Sequence, residues 1–138
     1  MVALRAPARS PGSVAVVEQV LGIGGVFFRA KDPTALAAWY LEHLGIDPVP
    51  EDANGRPWVQ QGGPTVFAPF PAATDYFGRP EQQWMLNFRV RDLDAMRDQL
   101  RAAGAAVDDA VEVVDGIGRF GWAVDPEGNR FELWEPTD

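Results

Sequence analysis

A chain of 138 residues with 46% hydrophobic side chains is long enough to bury one core of ordinary size. Its 20 acidic against 12 basic residues give a net charge of −8, and the basic residues form no stripe, so nucleic acid and anionic membrane are poor partners. With no cysteine there can be no disulfide framework, thiolate metal site or cysteine nucleophile.

Residues 1–19 carry Arg5, Pro7, Arg9, Pro11 and Gly12, and the apolar run Val14 to Val17 is too short for a signal-peptide core. A mobile N-terminal extension is expected there. No segment approaches the roughly 20 apolar residues of a membrane span, and the expected location is the cytoplasm. From Gly22 to Ala30, β-branched and aromatic residues follow a glycine run and predict a strand. Asp32 with Pro33 then opens a helix, whose buried stripe is Leu36, Tyr40 and Leu44, helped by Ala37 and Leu41, and Gly45 ends it. Trp58 to Gln60 and Thr65 to Phe70 are predicted as short strands between glycine and proline punctuation. Residues 72–83 read as a linker in which Tyr76 and Phe77 are packed anchors.

After the linker the pattern begins again. Trp84 to Val90 predicts a strand, Asp92 a helix start, Leu93, Met96, Leu100 and Ala103 an apolar stripe, and Gly104 the stop. Ala110 to Val114 and Phe120 to Val124 are further strands. Asp125-Pro126-Glu127-Gly128-Asn129 then forms a hairpin tip, since Pro126 presets a turn and Gly128 supplies its left-handed residue. The returning strand places Arg130, Glu132 and Trp134 on one face and Phe131, Leu133 and Glu135 on the other. Phe28-Arg29-Ala30-Lys31-Asp32 and Phe88-Arg89-Val90-Arg91-Asp92 match at an offset of 60 residues, which marks an internal duplication. Each unit is too small to bury its apolar face well, so the two should pair.

A repeated βαβββ unit, with an Asp-capped helix after the first strand and an Asp-Pro-Glu-Gly-Asn turn before the last, resembles the vicinal oxygen chelate superfamily. This superfamily contains glyoxalases, bleomycin resistance proteins and extradiol dioxygenases. The resemblance implies an α+β fold of two tandem βαβββ modules forming a curved-sheet cup, with modules at 20–71 and 84–136 inside a domain spanning 20–138. In metal-holding members the ligands, usually His and Glu, come from the first and last strands of both modules. Those positions fall here on Gly25, Phe67, Met85 and Glu132, of which only Glu132 is a good ligand for a hard divalent ion. The lone His43 sits near the end of the first helix, where the dipole favours it and solvent is its expected surrounding. Gly22-Ile23-Gly24-Gly25 precedes a strand rather than a helix, so no dinucleotide fingerprint is present.

If the four positions face the cup, strand parity adds Phe27, Arg29, Asn87, Arg89 and Trp134. The expected site is an apolar and aromatic pocket lined by these residues with Phe67 and Met85, and Glu132 is its carboxylate. Glu132 is either a general base, if aromatic walls raise its pKa, or a structural partner of Arg29 or Arg89. The leading expectation is a metal-free homodimer binding a small molecule, with no cofactor. One alternative is a lyase, isomerase or dioxygenase of the glyoxalase type with a divalent metal. The other is a structural or regulatory partner whose cup is filled by its own side chains.

Overall fold

The computed structural model describes residues 18–138, so the N-terminal extension up to residue 17 lies outside the described residues. Two helices start by the same device. Asp32 accepts from the Ala35 N–H at 3.0 Å ahead of α1 (Pro33–Leu44), and Asp92 accepts from the Ala95 N–H at 3.0 Å ahead of α2 (Leu93–Ala102). Gly45 stops the first with φ 69°, and Gly104, with φ 82°, follows the second.

The sheet is built by the second half of the chain. It comprises β1 (Asn87–Arg89), β2 (Ala106–Val107), β3 (Glu112–Val114), β4 (Gly118–Val124) and β5 (Arg130–Pro136), in the order β1-β5-β4-β2 with β3 also paired to β4. Strand β1 runs parallel to β5 and the other pairs are antiparallel. The result is an α+β fold with a curved, unclosed sheet, as expected. The expected strands at 84–90 and 110–114 are confined to 87–89 and 112–114, and the two-residue β2 carries too little pattern to be seen in sequence.

Strand β5 is the spine because its alternation serves two environments. Phe131 and Leu133 pack with Ala123 against Leu93 and Leu100 of α2, and Trp39 and Leu44 of α1 join the same cluster. Gly121 lies under α2, where a Cβ would come 3.3 Å from the Leu93 side chain and 3.4 Å from that of Arg97, a tight fit to which the Leu93 side chain would have to give way by a few tenths of an ångström. Of the stripe expected on α1, Leu36 and Tyr40 are buried, whereas Leu41 is exposed.

The hairpin tip docks α1. Asp125 is 4% exposed and accepts from the Glu127 N–H (2.9 Å), the Asn129 N–H (3.0 Å), Asn129 Nδ2 (2.8 Å) and the Tyr40 hydroxyl (2.7 Å). Gly128 takes φ 85° to close the turn. Glu127 thereby reaches the backbone N–H groups of Lys31 (2.5 Å) and Asp32 (3.0 Å), just ahead of α1.

The strands expected at 22–30, 58–60 and 65–70 do not form. Strand propensity is realised only against a hydrogen-bonding neighbour, and these segments have none within the described residues. Phe27 is 94% and Phe67 82% exposed, and Val20, Leu21, Val49 and Val59 are exposed as well.

Removing the Tyr40 hydroxyl leaves a buried Asp125 oxygen short of one donor. Tyr40→Phe is expected to cost roughly 1–3 kcal/mol of unfolding free energy in a urea titration, with the slope unchanged. A loss within error would show that Asp125 does not depend on Tyr40.

Candidate functional site

Register decides what the face of the sheet away from the helices presents. The closed hairpin pairs Trp122 with Glu132 and Phe120 with Trp134, and β1 pairs Asn87 with Glu132. Phe120, Trp122 and Trp134 form one buried cluster, with Met85, Tyr76, Val114 and Ile117 packed against it. The Phe120 and Trp134 rings stack with centroids 5.8 Å apart, and Trp134 Nε1 donates to the Ile117 carbonyl at 3.1 Å.

Glu132 sits in this aromatic surface and is 7% exposed. Its Oε1 accepts from Asn87 Nδ2 at 2.6 Å, and its Oε2 accepts from Trp122 Nε1 at 3.0 Å and from the Tyr76 hydroxyl. All three donors are neutral. The expectation of an arginine partner is therefore corrected: Arg89 donates to the Gln61 carbonyl at 2.9 Å, and Arg29 lines a separate cleft. A buried carboxylate without a cation needs several hydrogen bonds to offset its lost hydration, and these three supply them.

Tyr76 comes from the linker, which lies over the sheet. Its ring stacks on Phe70 (5.5 Å) and stands edge-on to Trp122 (6.3 Å), and its carbonyl accepts from Arg130 Nε at 3.2 Å. Gln82 pins the end of the linker, donating to the Trp84 and Arg130 carbonyls (2.8 and 2.7 Å) and accepting from the Arg130 N–H (2.8 Å). Burial, followed by the bond to Glu132, pushes the Tyr76 phenol above the usual tyrosine range, and Trp122 and Arg130 oppose this. Burial and Asp125 push Tyr40 up in the same way.

Of the residues expected to line the site, Met85, Asn87 and Trp134 meet around Glu132. Phe27 and Phe67 do not join them, because their segments are unpaired and their rings face solvent. Arg29 lines a cleft of about 440 Å³ at the hairpin tip with Lys31, Arg79, Glu127 and Asn129, and a second cleft of about 250 Å³ lies between Trp39 and Ala106. Neither cleft is lined by Glu132. His43 stands beside Trp39 (5.4 Å) on the helical side, half-buried rather than in open solvent. Phe120, Trp122 and Tyr76 join the site although the sequence reading does not place them there. The first two were legible, since the turn at Asp125 to Asn129 fixes which β4 residues oppose Glu132 and Trp134.

The donor set does not fit a divalent ion. Gly25 and Phe67 offer no side-chain donor and lie in unpaired segments, Met85 offers a thioether, and both Glu132 oxygens are already engaged. Among the described residues no three His, Cys, Asp or Glu side chains gather to hold a metal.

Residues 25–134 match the glyoxalase-like domain family. No curated protein matches the sequence. Among solved structures, an antibiotic-binding protein from Streptomyces sp. CB03234 is 25% identical, with 78% of this chain and 88% of that one covered and a TM-score of 0.47. A glyoxalase/bleomycin resistance protein/dioxygenase superfamily member from Sphaerobacter thermophilus is 23% identical over 77% and 90%, with a TM-score of 0.49. A fosfomycin resistance protein from Listeria monocytogenes is 22% identical over 41% of this chain, with a TM-score of 0.37, and the chain spans 48% of that protein's length.

Tyr40 and Tyr76 are the only tyrosines, and both phenols are held protonated beyond their ordinary value of 10.0. Native protein should therefore form little tyrosinate, followed by near-ultraviolet absorbance, as the pH passes 10.0, whereas urea-unfolded protein should titrate both groups there. Because the folded pKa values are raised, their stabilising contribution is complete below pH 10.0 and declines above it. Native titration of both phenols with the same midpoint as the unfolded protein would show that neither phenol is buried against its carboxylate.

Proposed function

The chain belongs to the glyoxalase-like domain family, and from that premise we propose that it is a small-molecule-binding member whose site is the aromatic face around Glu132. One observation carries this reading: a buried carboxylate stands among Phe120, Trp122 and Trp134 and is held by neutral donors alone. An apolar residue at that position would pack at less cost, so a retained carboxylate in an aromatic wall has the make-up of a recognition site, apolar with a few placed polar groups. Met85 and Asn87 extend it. The metal-dependent lyase, isomerase or dioxygenase reading has no donor set in its favour among the described residues.

The wall holds its own reporters. Titration of purified protein with a panel of small aromatic molecules, followed by tryptophan fluorescence, to which Trp122 and Trp134 contribute, is expected to yield binders that Glu132→Gln and Trp122→Phe weaken about tenfold or more, the value of a charge-assisted hydrogen bond. Binders unaffected by both variants would place the site elsewhere. One equivalent of divalent metal in protein purified without chelator, lost in Glu132→Gln, would replace this reading with the enzymatic one.

A homodimer is the assembly this proposal includes. The uncovered first-unit segments repeat the sequence pattern of β1, and among the described residues β1 is bonded on one side only, so a second copy presents a strand edge of matching construction. Sedimentation is expected to give a dimer that Phe27→Asp together with Phe67→Asp dissociates. A wild-type monomer at micromolar concentration would overturn it.

A further inference from the structure

The occupant of the Glu132 site is part of the chain itself. Tyr76 is not on a strand, its ring is half-buried where its partners Glu132 and Trp122 are buried, and its hydroxyl is the one group from the linker that meets the carboxylate. The linker is also fastened independently of this ring. Gln82 holds one end, and Arg79 Nη2 donates to Asn129 Oδ1 at 3.1 Å. Rotating the Tyr76 side chain away would leave those ties in place.

The chemistry around the hydroxyl is selective. It donates to Glu132 Oε2, and the single Trp122 N–H is shared between that carboxylate oxygen at 3.0 Å and the Tyr76 hydroxyl at 3.2 Å, so the hydroxyl oxygen is a donor to Glu132 and a second acceptor for Trp122. A ring without a hydroxyl has no hydrogen to donate to Glu132. A carboxylate could accept from Trp122 but would meet the Glu132 charge. A phenolic hydroxyl does both, and its ring takes the place between Phe70 and the edge of Trp122.

We infer that the site recognises a phenol-bearing aromatic molecule, which binds by displacing the Tyr76 side chain from Glu132 and Trp122. This rests on the reading of the aromatic face as a binding site and names its ligand class. Tyr76 is then an intrachain competitor that keeps the carboxylate satisfied when no ligand is present.

The test uses p-cresol, which is the tyrosine side chain cut free, with toluene as the same ring lacking the hydroxyl. Tyr76→Ala, checked for folding by circular dichroism, is expected to bind p-cresol about tenfold more tightly than toluene, by tryptophan fluorescence or calorimetry. Wild type is expected to bind p-cresol about tenfold more weakly than the variant, because Tyr76 competes. Equal binding of toluene and p-cresol would remove hydroxyl recognition while leaving a binding site. Binding to the variant with none to wild type would remove displacement. A folded variant that binds neither would overturn both this inference and the binding reading. If Tyr76→Ala does not fold, Tyr76→Phe serves: tighter p-cresol binding than wild type is expected, and equal affinity would overturn the competition.

Discussion

The contact on which the arrangement depends is the one between Asp125 and Tyr40, 85 residues apart in sequence. A carboxylate has about four lone-pair sites, and Asp125 fills them with two backbone N–H groups of its own turn, one side-chain amide and one phenol. Three of these bonds shape the hairpin tip and the fourth holds α1 to it. Because the turn is fixed, Glu127 is carried to the backbone just ahead of α1, and the helix is held at its start as well as its middle. A turn motif that reads as local punctuation is in fact the joint between the two halves of the chain.

The same turn sets the chemistry of the sheet. Closing at Asp125 to Asn129 fixes the β4 to β5 register, and a slip of one residue would exchange Phe131 and Leu133 for Glu132 and Trp134. The helical side enforces the correct choice, since Leu93 of α2 packs closely over Gly121 and Leu133 is fully buried there. The position of Glu132 is therefore a consequence of packing on the opposite face. Trp122 across one strand boundary and Asn87 across the other then reach it from fixed distances.

Features encoded within a few residues of one another were legible in the sequence. The Asp caps, the glycine stops, the hairpin tip and the alternation of β5 all emerged as read, because each depends on local backbone requirements. Features that need a distant partner were not. Phe27 and Phe67 have strand-like surroundings in sequence, yet a strand needs a neighbour to bond, and these segments have none within the described residues. Arg29 and Arg89 were natural partners for Glu132 by charge and parity. Neutral donors took that place, one of them from the linker 56 residues away, which no periodicity could indicate.

What a fold family shares is a scaffold, and the residues placed on it decide the chemistry. Gly25, Phe67 and Met85 offer none of the hard donors that a divalent ion requires, and the buried Glu132 carboxylate is stabilised by hydrogen bonds within the chain. Neutral hydrogen bonds do this without cancelling its charge, unlike an arginine, which would form an ion pair and quench the local field. Glu132 thus remains an acceptor in an apolar wall, where hydrogen-bond donors are favoured and anions repelled. Arg130 sits over the Trp122 ring at 5.5 Å, but its guanidinium is directed to the Tyr76 carbonyl and to Asp108 rather than to Glu132. The character of the face thus follows from which donors the fold brings to a single carboxylate.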